Sequence, residues 1–174
     1  AINYAVDTAR QQGVRTVKNN GTAFFLLSDG TIKIDGGNVF GQVPRLQWQE
    51  MAPPDRHNRV RLGLNCLLIQ TPGANILVDT GAGSKRMDRF RDIYGLNGNK
   101  LHKQLRKLGL TLRDIDMVVL THLHFDHAGG ATRRNRRGDM VPAFPKARYL
   151  VPRLDWEHFT KPENLASAPH VQSN

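Results

Sequence analysis

The residues at positions 121–130 constrain this chain more than any others, because they place three of its seven histidines and one aspartate within six positions. An apolar run precedes them, so the sequence predicts a buried strand that ends in a tight loop. On such a loop the side chains of His122 and His124 can converge on one cation. Asp126 and His127 can then face a second cation. Neutral imidazole and carboxylate suit Zn²⁺ best, with Fe or Mn as alternatives, so the pattern predicts a metal centre.

The competing interpretation is a cluster of polar loop residues that bind no metal. Imidazoles crowded at the end of a strand repel one another once they are protonated, and they have poor partners when they are buried. A His-x-His-x-Asp-His pattern also arises rarely by chance in a chain of this composition. The metal centre is therefore the favoured interpretation.

The composition is typical of a folded chain. Hydrophobic residues make up 39% of the chain and charged residues 23%, values that exclude a disordered acidic tail. The longest uninterrupted apolar run, at 23–27, is far shorter than the roughly 20 residues that a helix needs to span a bilayer. We therefore expect no membrane partner. The first twenty residues contain no apolar segment typical of a secretory signal, which predicts a cytoplasmic protein.

The chain is strongly basic, with a net charge of +10 and an isoelectric point near 10.4. Such a surface suits nucleic acid or acidic small molecules, or it simply keeps the protein soluble. The densest basic run, at 133–137, lies among glycines and predicts a loop rather than a DNA-reading helix. Cys66 is the only cysteine and lies in an apolar run, which predicts a buried, unreactive thiol.

Two turn signals divide the first half of the chain. Apolar runs within 22–35 flank Asp29-Gly30, and this arrangement predicts a β-hairpin. A second pair of apolar runs, within 62–79, flanks Thr-Pro-Gly-Ala and predicts another hairpin. Their nearly continuous apolar character is typical of strands that are covered on both faces.

The remaining patterns predict a mixed sheet with helices on one side, an α/β fold. Further predicted elements are helices at 4–12, 101–110 and 153–160, and strands at 117–120 and 146–151. We divide the chain into an N-terminal extension, residues 1–21, and one domain, residues 22–174.

The motif at 121–130 resembles the signature of the metallo-β-lactamase-fold hydrolases, and the Asp-Thr-Gly that ends 76–81 is similar to a strand end of that family. The segments 36–44 and 63–68, together with Phe125, resemble the branch of quorum-quenching lactonases and organophosphate hydrolases. The resemblance covers residues 22–155. It implies an αββα sandwich, of which this chain would hold the N-terminal half and a short extension.

The resemblance also implies roles for the site residues. His122 and His124 would bind the first Zn²⁺, and Asp126 and His127 the second, while Asp79 would brace the loop from behind. A water that bridges the two cations would attack a carbonyl or phosphoryl centre. Asp126 would serve mainly as a ligand and, as a catalytic residue, could also steer the proton.

The chain departs from the family pattern after His127, because the family's further metal ligands, two histidines and a bridging aspartate, have no counterpart here. His158 and His170 are predicted as surface residues. We expect a hydrolase of an ester, a lactone or a phosphotriester. The alternatives are a phosphodiesterase or nuclease, a β-lactamase or thioesterase, and an inactive fragment that binds metal or a partner. An exposed sheet face would favour homo-oligomers.

Overall fold

The structure is a computed structural model that describes residues 14–85 and 87–161, with the backbone alone at 87–89. The predicted helix at 4–12 and His170 lie outside the described residues. The strands are β1 (Arg15–Asn19), β2 (Thr22–Asp35), β3 (Arg59–Gln70), β4 (Asn75–Val78), β5 (Met117–Val119), β6 (Thr132–Arg134), β7 (Met140–Pro142) and β8 (Arg148–Leu150). The helices are α1 (Gly36–Phe40), α2 (Arg45–Trp48), α3 (Met87–Tyr94), α4 (Leu101–Lys107), α5 (Phe125–Ala128) and α6 (Arg153–Thr160).

Six strands form one mixed sheet in the order β1-β2-β3-β4-β5-β8. Neighbouring strands from β1 to β4 are antiparallel, whereas β5 pairs in parallel with both β4 and β8. Strands β6 and β7 form a separate two-stranded ribbon. The predicted mixed α/β architecture is therefore confirmed, and the described residues supply one large sheet of the expected sandwich. No helix among them is long and apolar enough to cross a membrane.

The first hairpin turns at Asn20-Gly21, where both residues have positive φ angles of 43° and 77°. Asn-Gly accommodates this conformation better than other pairs, and its twist matches that of the flanking strands. Asn19 therefore pairs with Thr22, and β1 runs antiparallel to β2 along its whole length. Residues 15–19 of the predicted extension thus belong to the sheet.

The predicted hairpin at Asp29-Gly30 is wrong, because β2 continues through both residues as a single strand of 14 residues. The pairing with β3 shifts register between Ser28 and Gly30, which marks a β-bulge. A side chain at Gly30 would place its Cβ 1.8 Å from the carbonyl oxygen of Asn97. The glycine therefore permits close approach of a distant loop, and it does not reverse the chain.

The second predicted hairpin is confirmed, since β3 and β4 pair from Leu67–Val78 to Gln70–Asn75. Its turn closes through hydrogen bonds from the backbone N–H of Thr71 to Ala74 and from that of Ala74 to the Thr71 hydroxyl. The strands near 117–120 and 146–151 and the helix at 153–160 are also confirmed. Helix α4 is shorter than predicted because Gly109 takes a φ of 74° and ends it.

One face of the sheet packs against the helices and forms the main core. Phe25, Leu68 and Val118 are fully buried there, against Leu101 and Leu105 of α4. Cys66 lies on the same face, and burial raises the pKa of its thiol far above the ordinary value. The prediction of a buried, unreactive thiol agrees with this position.

The opposite face, which we call the open face, carries apolar side chains that remain partly exposed. Cross-strand pairing aligns them in two rows, Val17–Phe24–Ile69–Ile76–Met117 and Leu26–Leu67–Val78–Val119–Leu150. Leu26 is 42% exposed and Leu150 40%. Apolar residues on both faces are typical of a sheet whose two faces are both covered by other parts of the structure.

Candidate metal centre

Asp79 follows β4 directly and lies in the left-handed region, with a φ of 57°. Its N–H donates to the carbonyl of Val119, so the parallel pairing of β4 with β5 fixes its position. The buried carboxylate accepts hydrogen bonds from the N–H of Thr121 at 2.8 Å and from its hydroxyl at 3.0 and 2.9 Å. Asp79 therefore ties the end of one strand to the start of the loop after the next.

The loop after β5 leads into the short helix α5, and His124 is the residue that caps the start of this helix. The N–H groups of His127 and Ala128 both donate to the His124 carbonyl. The His127 carbonyl in turn accepts from the N–H and the hydroxyl of Thr80, each at 2.8 Å. The loop is thus fastened to the chain that follows β4.

Asp155 of α6 also holds this loop, because its carboxylate accepts the N–H of Leu123 at 3.0 Å. Neither this contact nor the role of Thr121 followed from the sequence pattern. Both depend on which elements meet in space; Thr121 opens the motif at 121–130 but is not one of its predicted metal ligands, and Asp155 lies outside the motif.

The four predicted metal ligands come together on this one loop. The ring centroids of His122 and His127 are 4.0 Å apart, and those of His122 and His124 are 4.8 Å apart. Asp126 Oδ2 lies 3.6 Å from His127 Nε2. Among the described residues, however, no three His, Cys, Asp or Glu side chains form a complete group that could hold a metal ion. The donor types suit Zn²⁺, and they form an incomplete ligand set.

A hydrogen bond from Asp79 fixes the orientation of His127, since Asp79 Oδ2 lies 2.8 Å from His127 Nδ1. With Nδ1–H donated to the carboxylate, the lone pair on Nε2 points away from Asp79 and is available to a cation. Asp79 thus holds His127 and Thr121 of this loop, and its predicted role in bracing metal ligands stays a prediction.

The pKa values of His127 and His122 shift in opposite directions. The hydrogen bond with Asp79 raises the pKa of His127, although burial opposes the shift. Burial lowers the pKa of His122, and the neighbouring charges of His127 and His124 lower it further. Burial alone would raise the pKa of Asp79, but hydrogen bonds from His127 and Thr121 bring it below the usual value. The lowered pKa of His122 favours its neutral form, which is the form of imidazole that binds a metal ion.

Two glycines let the loop approach the backbone after β4. A Cβ at Gly129 would lie 2.5 Å from the carbonyl oxygen of Ala82, and one at Gly130 would lie 2.2 Å from that of Thr80. Phe125 anchors the other side of the loop by packing on Phe90, with ring centroids 4.7 Å apart. The loop is therefore clamped between backbone and a small aromatic cluster.

Comparisons with known proteins identify the family of this chain. The model of the metallo-β-lactamase superfamily matches residues 59–167. The chain is 31% identical over 119 residues to the N-acyl homoserine lactonase AiiB of Agrobacterium fabrum, a match that covers 63% of this chain and 42% of that relative. It is 30% identical over 125 residues to a probable metallo-hydrolase of Mycobacterium tuberculosis, covering 60% of this chain and 40% of the relative.

Solved structures show the same fold. A probable metal-dependent hydrolase from Staphylococcus aureus superposes with a TM-score of 0.75 at 31% identity, covering 84% of this chain and 52% of the other. AidC, a dizinc quorum-quenching lactonase, superposes with a TM-score of 0.68 at 23% identity, covering 91% of this chain and 56% of the other. This chain thus spans about half the length of its relatives. Because the family model matches more than half of the chain, the protein belongs to the metallo-β-lactamase superfamily.

Proposed function

We propose that this chain carries the metal-binding loop of a hydrolase that opens lactones or other esters. One observation carries the proposal: four imidazole and carboxylate donors lie on a single clamped loop, and a buried aspartate orients one of them. A relative of similar sequence is named an N-acyl homoserine lactonase, which supports a lactone as the substrate class.

In this proposal His122 and His124 hold one Zn²⁺, and Asp126 and His127 hold the other. Bound Zn²⁺ lowers the pKa of water and polarises the carbonyl of an ester. The chain's own residues supply orientation and a proton acceptor. Asp79 holds His127 with Nε2 free. The Asp126 carboxylate lies 3.6 Å from that nitrogen, and in this proposal it also accepts a proton from the attacking water.

A zinc titration followed by a lactone hydrolysis assay tests this proposal. We expect His124→Ala to weaken zinc binding about tenfold or more, because it removes one of the two ligands that this proposal assigns to its ion. Hydrolysis of an acyl homoserine lactone should fall with the zinc content. His57→Ala is the matched control, since His57 is an exposed histidine outside the loop and should leave both quantities unchanged.

Two results would contradict the proposal. Equal zinc binding by the His124→Ala variant and the unmodified chain would show that the loop is not the metal site. Zinc binding at the loop without hydrolysis of any lactone or ester would leave a metal-binding chain and refute the catalytic part.

We also propose that the chain associates with itself through the open face. Leu26→Lys places a charge in one of its two apolar rows, so we expect the variant to sediment as a smaller species than the unmodified chain. Leu46→Lys is the control, because Leu46 is 80% exposed and lies outside the sheet. Sedimentation of the unmodified chain as a monomer at its highest soluble concentration would refute the idea.

A further inference from the structure

A concave surface lies between helix α4, the short helical turn Leu112–Asp114 and the β6–β7 ribbon. It encloses about 470 Å³, and its lining includes Arg106, Arg113, Arg133 and His102. We call it the arginine cleft. None of the four predicted metal ligands lines it, so it is separate from the loop that carries them.

The arginine cleft contains positive charge without a counter-charge. No acidic residue is part of its lining. Among the described residues, the ion pairs with carboxylates are formed by other cationic side chains, namely Lys33, Arg59, His127 and Arg153. Three guanidinium groups on one concave surface repel each other, and a bound anion would relieve that repulsion.

The acidic residue next to the cleft in sequence is already engaged elsewhere. Asp114 accepts hydrogen bonds from both the N–H and the hydroxyl of Thr111, each at 2.7 Å. These bonds lower the pKa of Asp114 and direct its carboxylate to the start of its own helical turn. Its neighbour in sequence, Arg113, is exposed to solvent and lines the cleft, while both Thr111 hydrogen bonds end on Oδ2 of Asp114.

The shape and lining of the cleft indicate the kind of anion. Guanidinium groups bind phosphate oxygens in a bidentate manner, which suits a multiply charged phosphate group. The volume lies within the range of small-molecule pockets. No Phe, Tyr or Trp side chain lines the cleft, whereas surfaces for single-stranded nucleic acid offer such rings for bases to stack on. We propose that the arginine cleft binds the phosphate group of a small phosphorylated molecule through Arg106, Arg113 and Arg133.

Calorimetric titration with inorganic pyrophosphate tests this site. The chain is first dialysed against a chelator, because pyrophosphate also binds metal ions. We expect saturable binding at one site per chain, and each of R106Q, R113Q and R133Q should weaken it about tenfold. Since these side chains are exposed, circular dichroism should show that the variants remain folded.

The matched control is R136Q, which removes the same charge from the same ribbon at an exposed arginine that does not line the cleft. Its affinity for pyrophosphate should stay within about twofold of the unmodified chain's, because screening weakens a distant surface charge. The proposal is overturned if no saturable binding occurs, or if R136Q weakens binding as much as the cleft variants do. Tighter binding of an oligonucleotide that depends equally on Arg136 would instead identify a nucleic-acid surface.

Discussion

Replacing Asp29 by alanine should lower the free energy of unfolding by about 3–5 kcal/mol, because it leaves the N–H groups of Gly83 and Leu101 without an acceptor and that of Lys100 with only the main-chain carbonyl of residue 29. The Asp29 carboxylate is buried and accepts the N–H groups of Gly83, Lys100 and Leu101 at 3.0, 2.8 and 3.0 Å. Through these bonds one side chain caps α4 and holds the loop after β4. Urea unfolding followed by circular dichroism measures the change.

Asp35→Ala is the matched control for this prediction. Asp35 also caps a helix, accepting the N–H of Gly37 at 2.8 Å, but it is exposed to water. Water can replace its hydrogen bonds, so we expect a loss of about 1 kcal/mol or less. Similar losses for the two variants would show that burial of the Asp29 carboxylate contributes nothing.

Asp79→Ala should weaken zinc binding about 10–100-fold, the range typical of residues that orient a metal ligand. The variant removes the acceptor of His127 Nδ1 and of the Thr121 N–H. It also places alanine at a φ of 57°, which asparagine or aspartate tolerates better. We therefore expect lower stability as well as weaker zinc binding, measured by urea unfolding and by competition with a zinc-responsive dye.

Asp79→Asn separates these two effects. Its amide oxygen can still accept the N–H of Thr121, so stability should stay near that of the unmodified chain. Its amide nitrogen, however, donates to His127 Nδ1 and leaves the proton on Nε2, which then cannot bind a cation. Zinc affinity should therefore fall in both variants. If Asp79→Asn binds zinc as tightly as the unmodified chain does, Asp79 does not select the tautomer of His127.

The two Asx-Gly pairs show where local sequence predicts structure and where it fails. Asp29-Gly30 and Asn20-Gly21 carry the same hairpin signal, yet only Asn20-Gly21 makes a turn. At Asp29-Gly30 the decisive partners are Asn97 and the start of α4, about seventy residues further along the chain. A tertiary contact at that separation has no local signature, so the sequence suggested a turn where the strand continues through a bulge.

The clustering of the histidines was easier to predict because its information is local. Four donors within six positions after an apolar strand share one loop in almost any fold, and the ring of His122 lies 4.0 Å from that of His127 and 4.8 Å from that of His124. What the pattern could not provide was the support for that loop. Thr80 and Asp155 reach it from other elements, and short polar residues of this kind occur throughout the chain.

The order of the strands favours an order of folding events. Strands β1 to β4 each pair with their successor; tight turns join β1 to β2 and β3 to β4, and the β2–β3 ribbon provides the longest run of pairs. Strand β5 joins only through a parallel crossover, which closes a longer loop. We therefore expect the meander to form before β5 joins β4, and the loop that carries the histidines to take its place only after that pairing.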